Sequence, residues 1–242
     1  MRLDRFLIHN ANISSQECLA LIKAARVHVS GILAESVAQL LEEGDTVSLD
    51  GQSLQSKAFN YLVINKPAGV VSARADKTHS TVLDFIKAGN FVGELPKFEA
   101  INIGKLQIVG RLDIDTTGLL LLTDDGEWNY RLTAPEHHCV KTYRVQLNSE
   151  LADGLVEKFA EGFLLQGEQS KTLPAKLEQV APKEVLLSIS EGRYHQIKRM
   201  FKASKNRVVR LHRESIAGLD LIEGLSPGQF RFLSAEEVAR LG

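Results

Sequence analysis

The sequence predicts an α+β protein in two parts: a small N-terminal unit linked to a larger, mixed and largely antiparallel α+β domain. Three observations carry that expectation. Short apolar runs of strand length recur from Tyr61 onward, several of them alternating. Between them stand helical stripes and connections of uneven length, without the regular strand–helix–strand beat of a doubly wound parallel sheet. The stretch from Gln52 to Asn60 (QSLQSKAFN) is polar, lacks apolar periodicity and reads as a linker. The implied boundaries are 1–55 for the first unit, 56–60 for the linker and 61–242 for the second domain.

Composition excludes several classes. The 242 residues are 44% hydrophobic and 24% charged, as in ordinary globular proteins. No apolar run approaches the roughly 18–20 residues of a membrane-spanning helix, so no membrane partner is expected. The opening MRLDRFLIHN mixes charges with apolar residues, unlike a secretory signal. Two distant cysteines, Cys18 and Cys139, point to a reducing, cytoplasmic setting without a disulfide framework. His137-His138-Cys139 has no second cluster at ligand spacing, so no metal is expected. The net charge is −1, but eight basic residues lie from Arg193 to Arg213 with no acid among them. A polyanion responds to such local charge within a Debye length of ~8–10 Å.

In chain order, Leu3, Phe6 and Leu7 have helical spacing, broken at Asn12-Ile13-Ser14-Ser15. Ser14 or Ser15 caps a second helix, with Glu17 available to its first turn, and Leu19, Ile22 and Lys23 carry it to about Ala25. Val27 to Val29, Ile32-Leu33 and Asp45 to Leu49 read as small strands. After the linker, Tyr61 to Ile64 is a strand that turns at Pro67-Ala68-Gly69. Lys66 at that bend either faces a ligand or is solvated. Thr81 to Ile86 suggests a short helix, and Lys87 to Gln107 an irregular connection.

The stretch from Val109 to Gly126 (VGRLDIDTTGLLLLTDDG) joins a polar loop to a buried strand, Leu119 to Leu122, and a turn at Asp124-Asp125-Gly126. A loop held by a buried strand is a common seat of chemistry; taken alone, Arg111 and Asp113 could equally form an exposed ion pair. Glu127 to Leu132 reads as a helix, and Lys141 to Leu147 as a strand with Tyr143, Val145 and Leu147 on one face. Leu151 to Phe163 fits a helix with Leu155, Val156 and Phe159 inward. Ala175 to Val180 and Val185 to Ile189 are strands. In the basic segment, Ile197, Met200 and Phe201 form one helical stripe, and His195, Lys198, Arg199 and Lys202 another. Arg207 to Leu211 and Phe230 to Leu233 are strands, and Ala235 to Leu241 a terminal helix. Motifs of dinucleotide binding, phosphate loops, zinc hydrolysis and serine hydrolysis are absent from the sequence.

Two resemblances follow from particular residues. Arg2 to Phe6, Ser14-Ser15, Ile22-Lys23, Arg26-Val27, Val29-Ser30-Gly31 and Gly44 to Val47 make the first unit resemble the S4 RNA-binding domain. That likeness implies an RNA contact through Arg2, Arg5, Lys23 and Arg26. Tyr61 to Gly69, Gly110 to Asp113, Lys141-Thr142-Tyr143 and Glu191 to Met200 (EGRYHQIKRM) resemble, in this order, the RsuA branch of the RsuA/RluA pseudouridine synthases. The likeness covers nearly the whole chain. It implies isomerisation of uridine to pseudouridine in RNA without a cofactor. It places the essential aspartate on Asp113, the base-stacking tyrosine on Tyr143 and the basic partner on Lys198. Arg111 would fix the catalytic loop or hold a phosphate, and Arg193, Arg199 and Lys202 would hold further phosphates. The implied partner is 16S rRNA or the assembling small ribosomal subunit, met by a monomer. A large-subunit (23S) rRNA uridine, or a non-catalytic role in ribosome assembly, are the alternatives.

Overall fold

The computed structural model describes residues 1–99 and 101–241. Ala100, in the 87–107 connection, and Gly242, at the end of the predicted second domain, lie outside the described residues. The chain divides into two compact units, Met1–Ala58 and Phe59–Gly242.

In the first unit, α1 (Leu3–Ala11) buries Leu3, Phe6 and Leu7 and ends at Asn12, whose φ of 56° is left-handed. α2 (Ser15–Lys23) opens on a reciprocal cap. The Ser14 hydroxyl accepts from the Glu17 N–H, and the Glu17 carboxylate accepts from the Ser14 N–H at 2.7 Å, an arrangement worth about 1 kcal/mol. Cys18 and Ile22, four apart, form the buried side of α2, whereas Leu19 is exposed. β1 (Val27–Val29), β2 (Ile32–Leu33), β3 (Val47–Leu49) and β4 (Gln52–Ser53) form an antiparallel sheet in the order β2-β1-β3-β4. β4 corrects the reading of Gln52 onward as linker. Its residues pair with β3 through the backbone, across a turn at Asp50-Gly51 where both φ values are positive. Such pairing needs no apolar side chains and leaves no periodic trace. Further on, the Lys57 N–H donates to Asn10 Oδ1 at 2.7 Å.

The second unit runs through β5 (Tyr61–Lys66), α3 (Leu95–Glu99), β6 (Gln107–Val109), β7 (Thr117–Thr123) and α4 (Gly126–Thr133). It continues with β8 (Lys141–Leu147), α5 (Leu155–Glu161), β9 (Lys176–Ala181), β10 (Glu184–Ile189) and α6 (Gln196–Ala203). β11 (Val208–Ile216), β12 (Leu219–Asp220), β13 (Phe230–Phe232) and α7 (Ala235–Leu241) complete it. A nine-stranded sheet follows the order β13-β5-β7-β11-β8-β10-β9, with β6 beside β7 and β12 beside β11. Every pairing in it is antiparallel except β7 with β11, which is parallel. The mixed, largely antiparallel α+β class therefore holds.

β7 is the centre of this sheet. Its four leucines are fully buried, and the two-residue period of a strand divides them. Leu119 and Leu121 pack with Val63 and with Trp128 and Leu132 of α4; Leu120 and Leu122 join Leu62, Ile64 and Leu106 on the other face. Asp125 caps α4, accepting from the N–H groups of Glu127 and Trp128. In the 87–107 connection, Phe91 and Phe98 set their rings 5.3 and 6.1 Å from that of Phe230 on β13. Aromatic docking thus orders a segment without periodicity.

Two elements differ in length from their sequence expectation. α5 is shorter because Gly154 and Gly162, with φ of 75° and 79°, bound it, and Val156 is exposed. β11 runs on to Ile216 because its polar residues find partners. His212 Nδ1 meets the Thr117 hydroxyl at 2.8 Å, and Glu214 pairs with Arg144 at 2.5 Å. Gly118 permits the parallel contact of β7 with β11. Its φ is 105°, and a Cβ there would lie 2.3 Å from the carbonyl oxygen of Arg213 and 2.8 Å from its nitrogen. Gly118→Ala is expected to cost about 3 kcal/mol or more, read as a lower urea midpoint in the fluorescence of Trp128, the single tryptophan, which is buried on α4.

Candidate active site

The loop between β6 and β7 carries Asp113, and it is held from several sides. Gly110 turns the chain at φ 69°. Leu112 is buried, its N–H donates to Ser72 Oγ at 3.1 Å, and its carbonyl accepts from the Ser72 hydroxyl at 2.9 Å. The Gly69 N–H donates to the Ile114 carbonyl at 2.8 Å, and the Thr116 N–H to that of Asp113 at 3.1 Å.

Beneath the loop lies Lys66, the last residue of β5. It is 0% exposed, and Nζ donates to the carbonyls of Thr116 at 2.7 Å, Pro67 at 3.1 Å and Ile114 at 3.4 Å. Burial pulls its pKa down to about 8 against the opposing pull of Asp115 and Asp113. Lys66 therefore neither faces a ligand nor is solvated, as the turn reading had it; it braces the loop. The available signal was the run from Leu62 onward, whose every residue to Lys66 is buried, so a lysine ending it is carried inward with its neighbours.

α6 brings Lys198 to the loop. Nζ lies 2.9 Å from Asp113 Oδ2 and 2.6 Å from Asp115 Oδ1. Burial by itself would lower the ammonium's pKa, but the hydrogen bonds to Asp115 and Asp113 outweigh it and raise the pKa above the ordinary lysine value. Burial likewise pushes Asp115 up, and the Lys198 ammonium more than reverses that. A cation so placed favours the ionised form of Asp115. On the other side, His195 Nε2 stands 3.6 Å from Asp113 Oδ1.

Tyr143 comes from β8. It is buried opposite Arg213 of β11. Arg213 is 3% exposed; Nε donates to the Leu119 carbonyl at 2.7 Å and Nη1 to the Tyr143 hydroxyl oxygen at 3.4 Å, while Nη2 has no hydrogen-bond partner among the described residues. With its oxygen accepting from a cation, the phenol must direct its own proton elsewhere. Lys141, two residues earlier, has its pKa lowered by burial despite the neighbouring Cys139. Asp113, Tyr143, Lys198, Arg111, Lys141 and Arg213 all line one cleft of about 680 Å³. A carboxylate held beside an ammonium, in one cleft with a tyrosine, has the groups for acid–base or nucleophilic chemistry on a small polar ligand.

The other predicted residues divide. Arg111 is exposed and lines the cleft. Arg193 and Arg199 spend most of their donors within the protein. Arg193 binds Glu191 at 3.0 Å and the carbonyls of Ser170 and Lys171; Arg199 binds Glu168 at 2.8 Å and the carbonyls of Gln166 and Tyr194. Lys202 is exposed on α6 but does not line the cleft. In the first unit, Arg2 pairs with Asp4 at 2.6 Å and Arg26 with Asp50 at 2.7 Å, while Arg5 and Lys23 are exposed. Sequence reasoning did not single out the bracing by Lys66, Arg213 behind Tyr143, or the Tyr194–His195 ring pair at the rim, with centroids 3.9 Å apart and planes at 19°.

Comparison with known proteins agrees over the whole length. The model of the RNA pseudouridylate synthase family matches residues 60–203. A ribosomal small subunit pseudouridine synthase A from Yersinia pestis is 44% identical over 243 aligned positions, covering 100% of this chain and 98% of the relative. The protein of that name from Escherichia coli (strain K12) is 46% identical over 241, covering 99% of each. A crystal structure of a pseudouridylate synthase superposes with a TM-score of 0.69 at 38% identity, covering 100% of both chains.

Proposed function

We infer that this chain, which belongs to the RNA pseudouridylate synthase family and is an RNA pseudouridine synthase, isomerises a uridine of small-subunit ribosomal RNA. The observation that carries the chemistry is the Lys198-held carboxylate of Asp113 in one cleft with Tyr143. The names of relatives 44% and 46% identical over the full length support the choice of substrate.

In the reaction, the bond from C1′ to N1 of uridine breaks and the electron pair leaves with the uracil. The ring turns, C5 bonds to C1′, the C5 proton departs and N1 takes up a proton. Product and substrate have the same atoms and oxidation state, so the isomerisation calls for no redox or group-transfer cofactor. Asp113, hydrogen-bonded to the Lys198 ammonium, acts on the ribose as nucleophile or base. Tyr143 stacks on the base, and its phenol is placed for the C5 proton. The uridine must leave its helical stack to enter the cleft, and aromatic stacking offsets part of that cost. The first unit serves as an S4-like second contact with RNA, which is read mainly by shape. The protein acts as a monomer in the cytoplasm, on the rRNA or the assembling subunit.

The test is tritium release from [5-³H]uridine-labelled, unmodified rRNA. Release from small-subunit rRNA at one equivalent per molecule is expected. Release from large-subunit rRNA alone would move the substrate there, and tight RNA binding with no release from either would favour a binding factor.

A further inference from the structure

The rim of the cleft carries a feature that the reaction leaves unexplained. Tyr194 is 74% exposed, yet its ring is not loose. It lies on the His195 ring at 3.9 Å and 19°, which leaves the outer face of the tyrosine open. His195 is held at φ 46°, a left-handed conformation that costs a non-glycine residue of order 1 kcal/mol and persists only where the surroundings enforce it.

Those surroundings are the two arginines expected on phosphates. Arg199 Nη1 donates to the Tyr194 carbonyl at 3.1 Å while the same guanidinium binds Glu168. The Arg193 N–H donates to Gln196 Oε1 at 2.8 Å, and its guanidinium binds Glu191 and Glu168. Gln196 in turn donates to Glu191 at 2.8 Å. A closed network of charge-assisted hydrogen bonds thus braces the turn that presents the two rings. The inner ring of the stack stands at the reacting centre, with His195 Nε2 3.6 Å from Asp113 Oδ1.

From this geometry we propose that the Tyr194–His195 stack is a platform for the nucleobase next to the extruded uridine. The proposal rests on the reading of the substrate as RNA. A uridine drawn toward Asp113 and Tyr143 leaves its neighbour with one face unstacked. The exposed Tyr194 ring, stacked on the His195 ring whose Nε2 stands near Asp113, offers a replacement stack, tolerant of base identity because every base has a π face. Arg193 and Arg199 act here as positioning residues for the platform.

The experiment uses the full chain with [5-³H]uridine-labelled small-subunit rRNA, comparing wild type, Tyr194→Phe and Tyr194→Leu. Filter binding gives Kd, tritium release gives kcat and KM, and Trp128 fluorescence in urea gives stability. Leucine keeps bulk without a π face, so Tyr194→Leu is expected to raise Kd and KM tenfold or more with an unshifted urea midpoint. Tyr194→Phe is expected within about threefold of wild type, because stacking does not need the hydroxyl. A leucine variant equal to wild type, or a phenylalanine variant as weak as leucine, would overturn the platform while leaving the function intact if wild type releases tritium. No release by wild type, with leucine still weakening RNA binding, would sink the assigned reaction and leave the platform standing. No release and no weakening would remove both.

Discussion

Asp113→Asn is expected to reduce pseudouridine formation by at least about 10³-fold while leaving the fold and RNA affinity in place. The loss follows from removing the group proposed to act on the ribose, for which knockouts of a nucleophile or base commonly reach that size or more. The retention follows from geometry. Asparagine has the shape of aspartate, and the loop is held by Ser72, Gly69 and Lys66 through backbone groups that the substitution does not touch. Lys198 keeps Asp115 at 2.6 Å, so its ammonium is not left alone. Single-turnover tritium release at saturating enzyme, with Kd measured in parallel, checks the prediction. Asp115→Asn is the control. Asp115 is more exposed than Asp113 and does not line the cleft, so its loss is expected to cost tenfold or less. A variant of Asp113 that turns over as wild type would refute the catalytic assignment.

Lys66→Met is expected to be the most damaging substitution outside the cleft. Methionine fills similar space but donates no hydrogen bond, so the buried carbonyl of Thr116 and the part-buried ones of Pro67 and Ile114 lose their shared donor. Leaving such groups unpaired costs about 2–4 kcal/mol in all. Because Ile114 and Thr116 flank Asp115 and follow Asp113, a displaced loop is also expected to lower kcat by about 10²-fold. The pH dependence has a definite sign. The folded pKa of Lys66, about 8, lies below the ordinary lysine value of 10.5. Between these values the unfolded chain holds a proton that the folded chain has released, so this lysine's contribution to stability rises with pH. Below pH 8 both states hold the proton and the contribution is flat. The stability of wild type relative to Lys66→Met should therefore increase from pH 8 to 10.5, by up to about 3 kcal/mol. The neutral amine still donates two hydrogen bonds, so the loop stays braced. Urea midpoints of both proteins across that range measure it; a wild-type advantage that shrinks with rising pH would contradict a buried, depressed lysine.

Much of the architecture is legible in local sequence because local physics sets it. The Ser14–Glu17 cap, the stop at Asn12, the Leu119–Leu122 strand and the Asp125 cap each depend on residues within a few positions of one another. The inward face of α2 was legible only in part. A nine-residue helix leaves the choice between Cys18 and Leu19 to whatever packs against it, and the packing chose Cys18. The strand at Gln52-Ser53 was hidden because it is made by backbone pairing across a left-handed turn.

The basic run from Arg193 to Arg213 shows where sequence reading stops. Its eight cations are equivalent on paper. In the fold, Lys198 joins Asp113 and Asp115, Arg193 and Arg199 brace a turn, and Arg213 is buried behind Tyr143. Lys202, Lys205 and Arg210 remain exposed to solvent. The partners that make the difference lie 25, 31 and 85 positions away in the chain. Sequence by itself determined which residue types are present, the elements they form and, through their joint resemblance to one family, the chemistry to expect. The tertiary structure alone decided which charges are spent within the protein and which are left exposed to solvent. The physical reason is that a charge's role depends on the distance to its partner and on the water between them, and folding sets both.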